Sequence, residues 1–320
     1  MVMQLQWRAY RFVLQPPMLT ASGPWSERCG WLLRLDDPQS GRLCWGEAAP
    51  GPAEHALCAA ALSALPSELS AGELIDQLST LPGPVAFAIG LALAELEGLE
   101  GDGWLPAPAS AVLLPAGGDA IPAVQQSLRQ HEGNASAFVA KWKVGVLDCE
   151  SELHVLEQLL EQLPVGAQLR LDANGGWDRI TAGRWAMRLQ QEPKLQWLEQ
   201  PLPPRDHAGL LALAKRLPVA LDESLRDAAG VPVGWPGWLV HKPALEGDPR
   251  PLLQQLQIGA PRRMVSTALE TGVGARAVAH LAALASRGPT PCAAGLAPGW
   301  GASGDLASPD PQLVWEAAGR

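Results

Sequence analysis

The chain has 320 residues, enough for about two domains, and at 47% apolar and 18% charged it can bury a sizeable core, which excludes wholesale disorder. Its 33 glycines and 30 prolines point to many tight turns, and a net charge of −9 argues against a nucleic-acid or membrane partner, both of which favour a basic face. Five scattered cysteines (Cys29, Cys44, Cys58, Cys149, Cys292) form no CxxC pair and exclude a disulfide framework or a thiolate zinc site.

At the start of the chain, MVMQLQWRAYRF lacks the unbroken apolar stretch of a signal peptide. Leu5, Trp7 and Ala9 alternate with polar neighbours, as in a half-exposed strand. The Pro/Gly/Ser-rich stretch Pro16 to Pro24 reads as a mobile loop. Trp31 to Leu35 and Arg42 to Trp45 read as a hairpin, and residues 53–100 are Ala/Leu-rich and mostly helical. Within them the longest apolar run, Val85 to Ala94, has ten residues, whereas a membrane span needs ~20. A reduced, cytosolic protein is expected.

From about Ser110 the pattern becomes regular. Short apolar runs recur at Ala111–Leu114, Ala137–Ala140, Leu169–Leu171, Leu195–Leu198, Val219–Leu221, Trp238–Val240 and Arg263–Val265, with a fainter one at Pro291–Ala294. Amphipathic stretches separate them; Leu153, Leu156, Leu160 and Leu163 have helical spacing, and Val273 to Ser286 is a further helix ended by Gly288. About eight strand–helix units predict a parallel α/β fold, a (β/α)8-type barrel, with a doubly wound open sheet as the rival.

Ionisable residues stand where these runs stop. Lys141 and Lys143 close the second, Asp172 the third, Glu199 the fourth, Asp222 the fifth and Lys242 the sixth, at intervals from Lys143 of 29, 27, 23 and 20 residues. Each interval is about one βα unit, so a barrel brings all of them to the face that carries active sites. The chain holds only five lysines, and three stand at these strand ends. Arginine stays protonated, whereas a desolvated lysine can act as a base. Three hard carboxylates without His or Cys partners suit Mg²⁺ better than zinc, although Asp172 and Asp222 also have ordinary readings as turn and helix caps. The chemistry that follows is removal of a proton from a carbon beside a carboxylate, with a divalent cation stabilising the enolate and a lysine as base. A small-molecule carboxylate is therefore the expected partner, and the oligomeric state stays open.

Lys141-Trp142-Lys143, Leu171-Asp172-Ala173-Asn174, Trp197-Leu198-Glu199-Gln200-Pro201, Leu221-Asp222-Glu223-Ser224 and Lys242-Pro243 resemble the enolase superfamily, in its muconate-lactonising-enzyme subgroup. By strand alternation His241 faces outward, away from a mandelate-racemase role. Within the subgroup, Trp45-Gly46-Glu47-Ala48-Ala49-Pro50, Arg170 to Asn174 and Val265 to Gly272 resemble the o-succinylbenzoate synthase family, though the end of the eighth run lacks the His that usually precedes Gly295-Leu296.

The resemblance implies an N-terminal α+β capping domain over residues 1–105 with a lid loop near 18–25. It implies a barrel over 106–298 and a C-terminal segment, 299–320, that returns to the cap. It implies Mg²⁺, with Mn²⁺ as a substitute, on Asp172, Glu199 and Asp222. It makes Lys143 the base, and then the acid, in a syn loss of water from 2-succinyl-6-hydroxy-2,4-cyclohexadiene-1-carboxylate, in menaquinone or phylloquinone biosynthesis. Lys242 stabilises the enolate from the opposite ring face, and Lys141, Arg170, Asn174, Ser266 and Thr267 contact substrate or orient ligands. The same scaffold also serves dipeptide epimerases and N-acylamino-acid racemases. Those often carry an Asp-x-Asp pair at the eighth strand, where the nearest acid here is Asp305. A non-catalytic barrel and a phosphate-binding barrel using Gly295 to Gly304 are the remaining alternatives.

Overall fold

A computed structural model describes residues 2–20, 23–99, 103–130 and 138–319. The N-terminal part is a four-stranded antiparallel sheet, order β3-β2-β1-β4, formed by β1 (Val2–Thr20), β2 (Gly23–Asp37), β3 (Arg42–Ala48) and β4 (Glu68–Ser70). Three helices accompany it: α1 (His55–Ala64), α2 (Ala71–Gln77) and α3 (Gly83–Leu96). α3 is apolar all round because it is covered all round, its residues being shared between the core of the sheet and a cluster belonging to the second layer. Strand and helix approach closely enough that a Cβ on Gly46 would lie 1.9 Å from the Ala88 carbonyl oxygen.

The stretch read as a loop near residues 18–25 continues the hairpin instead. Met18 pairs with Trp25 and Thr20 with Gly23, after a register shift between Val13 and Met18. Pro16 and Pro17 supply no N–H to a ladder, which accounts for the interruption without ending the strands. Ala21 and Ser22 lie outside the described residues.

The second part is a parallel sheet, order β11-β10-β9-β8-β7-β6-β5. Its strands are β5 (Val112–Leu114), β6 (Val139–Lys143), β7 (Gln168–Asp172), β8 (Leu195–Glu199), β9 (Val219–Leu221), β10 (Trp238–His241) and β11 (Arg263–Val265). Ala137, read as the start of the second run, lies outside the described residues. The sheet edges meet through Ala294 and Gly295, which bridge to Ser110 on one side and Ser266 on the other. This closes the ring expected from the alternation. The eighth strand is faint in sequence because only these two positions pair.

Outside the ring lie α4 (Ala120–Gln130), α5 (Cys149–Gln162), α6 (Arg179–Leu189), α7 (His207–Ala214), α8 (Pro243–Glu246), α9 (Arg250–Gln257) and α10 (Gly272–Ser286). The unit after β9 has a single 3-10 turn, Glu223–Leu225, and no α-helix before β10. Gly230, Pro232, Gly234, Pro236 and Gly237 fall in that stretch and deny it helical propensity. Trp142, Trp185 and the leucines of α5 and α6 fill the layer between ring and helices, and Trp197, Ala220, Val240 and Met264 form a small separate cluster. Finally, α11 (Pro311–Ala317) packs Val314 and Trp315 against Tyr10, Leu32 and Trp45 of the antiparallel sheet.

Two buried polar side chains join sheet and ring. Glu47, fully buried at the end of β3, accepts from the Tyr10 hydroxyl (2.6 Å), the Thr271 amide (2.8 Å) and hydroxyl (2.6 Å), and the Gly274 amide (2.8 Å). The carboxylate thus takes up free N–H groups at the start of α10, where the helix dipole also favours it. Arg28, equally buried, donates to the carbonyls of Ala49, Pro50 and Leu269.

Candidate active site

Parallel pairing sets Lys143, Asp172 and Glu199 side by side at the carboxyl ends of β6, β7 and β8. Asp222 and Lys242 follow directly after β9 and β10. All three carboxylates are buried, at 6%, 0% and 0% exposure in chain order, so each needs a partner.

Lysines meet that need. Lys141 Nζ lies 2.8 Å from Asp172 Oδ2 and 2.7 Å from Glu199 Oε1, and Lys242 Nζ donates to Asp222 Oδ2. Arg226 reaches Asp222 Oδ1 at 3.3 Å, and the Trp197 indole N–H donates to Glu199 Oε2 at 3.3 Å. Burial opposes charge on Lys141, but Asp172, Glu199 and Asp222 outweigh it and hold the ammonium well above its ordinary range. Lys242 is raised in the same way, against burial, by Asp222 and Glu223. Burial also works against ionised Asp222, yet Lys242, Arg226 and Lys141 bring its carboxyl below the usual range.

Lys143 differs. It makes no hydrogen bond or ion pair with any described residue, and burial, opposed by Asp172 but aided by the charges of Lys141 and Lys242, lowers its pKa. The turn that follows is held by Glu152, whose carboxylate accepts from the amides of Gly145 (2.8 Å), Val146 (2.8 Å) and Leu147 (3.0 Å). Val144 donates its amide to the Asp172 carbonyl at 2.9 Å, which fastens this turn to β7.

Three further residues shape the mouth. Asn174, at a φ of +46°, donates its amide nitrogen to Asp172 Oδ1 (3.1 Å) and its side chain to Glu223 Oε1 (3.1 Å). Burial and the Asp222 charge push the Glu223 carboxyl up to about 7. Gln200, at a φ of +35°, accepts with one oxygen from the amides of Asp222 and Ser224, both at 3.1 Å, fixing the turn on which Asp222 sits. Glu223 and Gln200 carry no separate sequence signal as site residues; both were visible only inside the motifs they share with Asp222 and Glu199.

The other expected contacts stand differently. Arg170 lies below the mouth, wholly buried, donating to Gln196 Oε1 (2.6 Å) and the Ala293 carbonyl (2.6 Å) with its guanidinium 4.1 Å over the Trp197 ring. Burial pushes its pKa down to about 10. Ser266 donates to the Gly295 carbonyl at 3.0 Å, and Thr267 donates to Glu270 Oε2 while accepting from the Leu269 amide. Both hydroxyls already have partners within the protein. His241 is buried, its Nδ1 2.7 Å from Glu246 Oε2.

Among the described residues, no three His, Cys, Asp or Glu side chains stand grouped to hold a metal ion as they are placed. The ammonium groups of Lys141 and Lys242 lie on the carboxylate oxygens instead. The donor chemistry nevertheless fits a hard divalent cation: three buried carboxylates from adjacent strand ends, faced here by Lys141, Lys242 and Arg226. Beside them, Asn174 Oδ1 and Glu223 Oε2 are buried without a hydrogen-bond partner among the described residues.

Residues 125–232 match the family described as enolase C-terminal domain-like. The chain is 41% identical over 302 residues to the o-succinylbenzoate synthase of Thermosynechococcus vestitus, covering 87% of this chain and 88% of that one. It is 32% identical over 276 residues to the enzyme of the same name from Edwardsiella ictaluri, covering 82% and 81%. The solved o-succinylbenzoate synthase of Thermosynechococcus elongatus, complexed with Mg in its active site, superposes with a TM-score of 0.78 at 35% identity, over 98% of this chain and 99% of that one. The L-Ala-D/L-Glu epimerase of Bacillus subtilis shares the fold, with a TM-score of 0.69 at 20% identity over 94% and 91%.

Proposed function

The chain belongs to the o-succinylbenzoate synthase family of the enolase superfamily, and from that premise we propose the residues through which it makes o-succinylbenzoate. It is a magnesium-dependent carbon–oxygen lyase that dehydrates 2-succinyl-6-hydroxy-2,4-cyclohexadiene-1-carboxylate, a step of menaquinone or phylloquinone biosynthesis. Its partner is this small carboxylate; we infer neither a nucleic-acid nor a membrane partner and place the enzyme in the cytoplasm. No described helix is long and apolar enough to cross a membrane.

Asp172, Glu199 and Asp222 would hold Mg²⁺, which when bound supplies positive charge against the negative charge that develops on the substrate carboxylate. Lys143 is the base. Its amine takes the α-proton, breaking the C–H bond, and its ammonium then returns that proton to the departing hydroxyl as the C–O bond breaks. Water leaves and the ring becomes aromatic. Lys242, kept charged by Asp222 and Glu223, faces the substrate from the other side and steadies the electron-rich ring. Lys141 and Asn174 orient substrate and carboxylates at the mouth, Arg170 supports Glu199 from beneath, and Ser266 and Thr267 line the succinyl end.

One observation carries the assignment of the base: of the three strand-end lysines, Lys143 alone lacks an ion pair with the described residues and has a lowered pKa. An amine so placed is available to accept a proton. The absence of an acid from Gly295 to Gly304 disfavours the epimerase reading. We also take residues 1–105 as a cap, with the end of the β1–β2 hairpin near 18–25, rather than a loop, as its lid, 106–298 as the barrel and 299–320 as a segment returning to the cap. The Trp45–Trp315 ring contact at 5.7 Å supports the last of these.

The test is an absorbance assay for the aromatic product, with and without EDTA, on the parent and on Lys143→Arg. Turnover is expected in the parent only, and only with the metal. Solvent deuterium entering N-acylated amino acids, with no aromatic product formed, would favour the racemase instead.

A further inference from the structure

Lys242 sits where the chain leaves β10 and turns into α8, with φ −110° and ψ 80°, outside both helical and extended geometry. The next residue, Pro243, brings no amide N–H. One side chain holds this junction. Glu246 Oε1 accepts the Lys242 amide at 2.5 Å, and Glu246 Oε2 stands 2.7 Å from His241 Nδ1. A single carboxylate thus grips two consecutive residues from four and five positions further on. The Leu245 amide, donating to the Lys242 carbonyl at 2.8 Å, closes the other side of the turn.

The grip is itself held. His241 and Glu246 side chains are only 8% and 16% exposed. The helix α3 lies against α8 so tightly that a Cβ on Gly83 would stand 2.2 Å from the Leu245 carbonyl oxygen. Ala244 is fully buried with Phe87 and Leu91 of that helix. Arg226, which pairs with Asp222, also feels the Glu246 charge. Among the described residues His241 Nε2 is buried without a hydrogen-bond partner, and Glu246 is the group that orients this imidazole.

A lysine side chain is long and flexible, and where its ammonium lies depends on where its backbone is fixed. We propose that Glu246 is a positioning residue for Lys242: by clamping His241 and the Lys242 amide, it sets the direction from which the ammonium reaches Asp222. The proposal rests on the reading of Lys242 given above for its catalytic consequence, and on geometry alone for the clamp.

The chain has five lysines, so protein labelled with ¹³C at the lysine ε-carbon gives few resonances, and Lys242→Arg identifies that of Lys242. In the full-length protein Glu246→Ala is expected to move the Lys242 resonance, leave those of Lys194 and Lys215 in place, and lower kcat about 10- to 100-fold with KM within about twofold. Glu246→Gln keeps one acceptor oxygen and falls between Glu246→Ala and the parent on both readouts. A Lys242 resonance unmoved in both variants, movement of Lys194 and Lys215 along with it, or a kcat within about twofold of the parent overturns the proposal. A parent that forms no aromatic product refutes the reading of the reaction instead, and the resonances then decide the clamp by themselves.

Discussion

Lys143 and Asp172 stand abreast in the ladder of β6 and β7, yet the ammonium bonded to the Asp172 carboxylate is that of Lys141, two residues earlier. The nearer lysine is left free to exchange protons, and the farther one carries the fixed charge.

Lys143→Arg should therefore lower kcat by about 100- to 10,000-fold, the usual contribution of a positioned base, while the unfolding midpoint stays near that of the parent. With Lys143 as the proposed base the active form would be the neutral amine, so the parent's kcat should rise with pH through an apparent pKa below the ordinary lysine value, in the direction in which burial moves this group. A rate flat up to pH 10, or an arginine variant within about tenfold of the parent, counts against the assignment.

Lys141 pairs with Asp172 and Glu199, two of the carboxylates proposed above to hold the metal, and would compete with it for them. Lys141→Met should tighten Mg²⁺ binding, by about tenfold as an order of magnitude, and destabilise the metal-free protein, whose buried carboxylates lose their counter-charge. Isothermal titration with Mg²⁺ and unfolding in EDTA report the two effects; weaker binding with unchanged stability contradicts both.

Glu223 gives a pH signature. Its folded-state carboxyl, raised to about 7 by burial and Asp222, keeps a proton that the unfolded chain has already lost, so stability falls as pH rises from the ordinary glutamate value through about 7. Glu223→Gln retains an acceptor for Asn174 and removes the charge. In EDTA the variant should gain on the parent by about 2 kcal/mol between pH 5.5 and 8.5 in denaturant titrations. A difference independent of pH shows that Glu223 titrates normally.

At the joint between sheet and ring, Glu47→Gln replaces an acceptor oxygen by an NH₂ group facing two of its four donors. The expected loss is about 2–4 kcal/mol in urea unfolding. A loss under about 1 kcal/mol would mean that apolar packing around Trp45 and Trp315 suffices.

The spacing of Lys143, Asp172, Glu199, Asp222 and Lys242 made the common face of the ring legible, because one residue per βα unit is a local regularity. What each charge would pair with was not. Lys141 taking two carboxylates, and Ser266 and Thr267 spending their hydroxyls on Gly295 and Glu270, depend on distances between segments far apart in the chain. Arg170 shares the inward direction of Asp172, but alternation does not say how deep in the ring a residue lies. The missing helix after β9 was written in its glycines and prolines and was masked by the regularity on either side. The hairpin through Met18 and Trp25 was hidden by prolines that interrupt a ladder without abolishing it.

The two-residue eighth strand also bears on motion. Four main-chain hydrogen bonds, between Ala294 or Gly295 and Ala109, Ala111, Val265 and Thr267, hold this seam. Breathing of the ring should begin there, and amide exchange at Ala294 and Gly295 should outpace that of β7 and β8. Ser266 lies on the seam, so the wall proposed above to line the succinyl end would yield along with it.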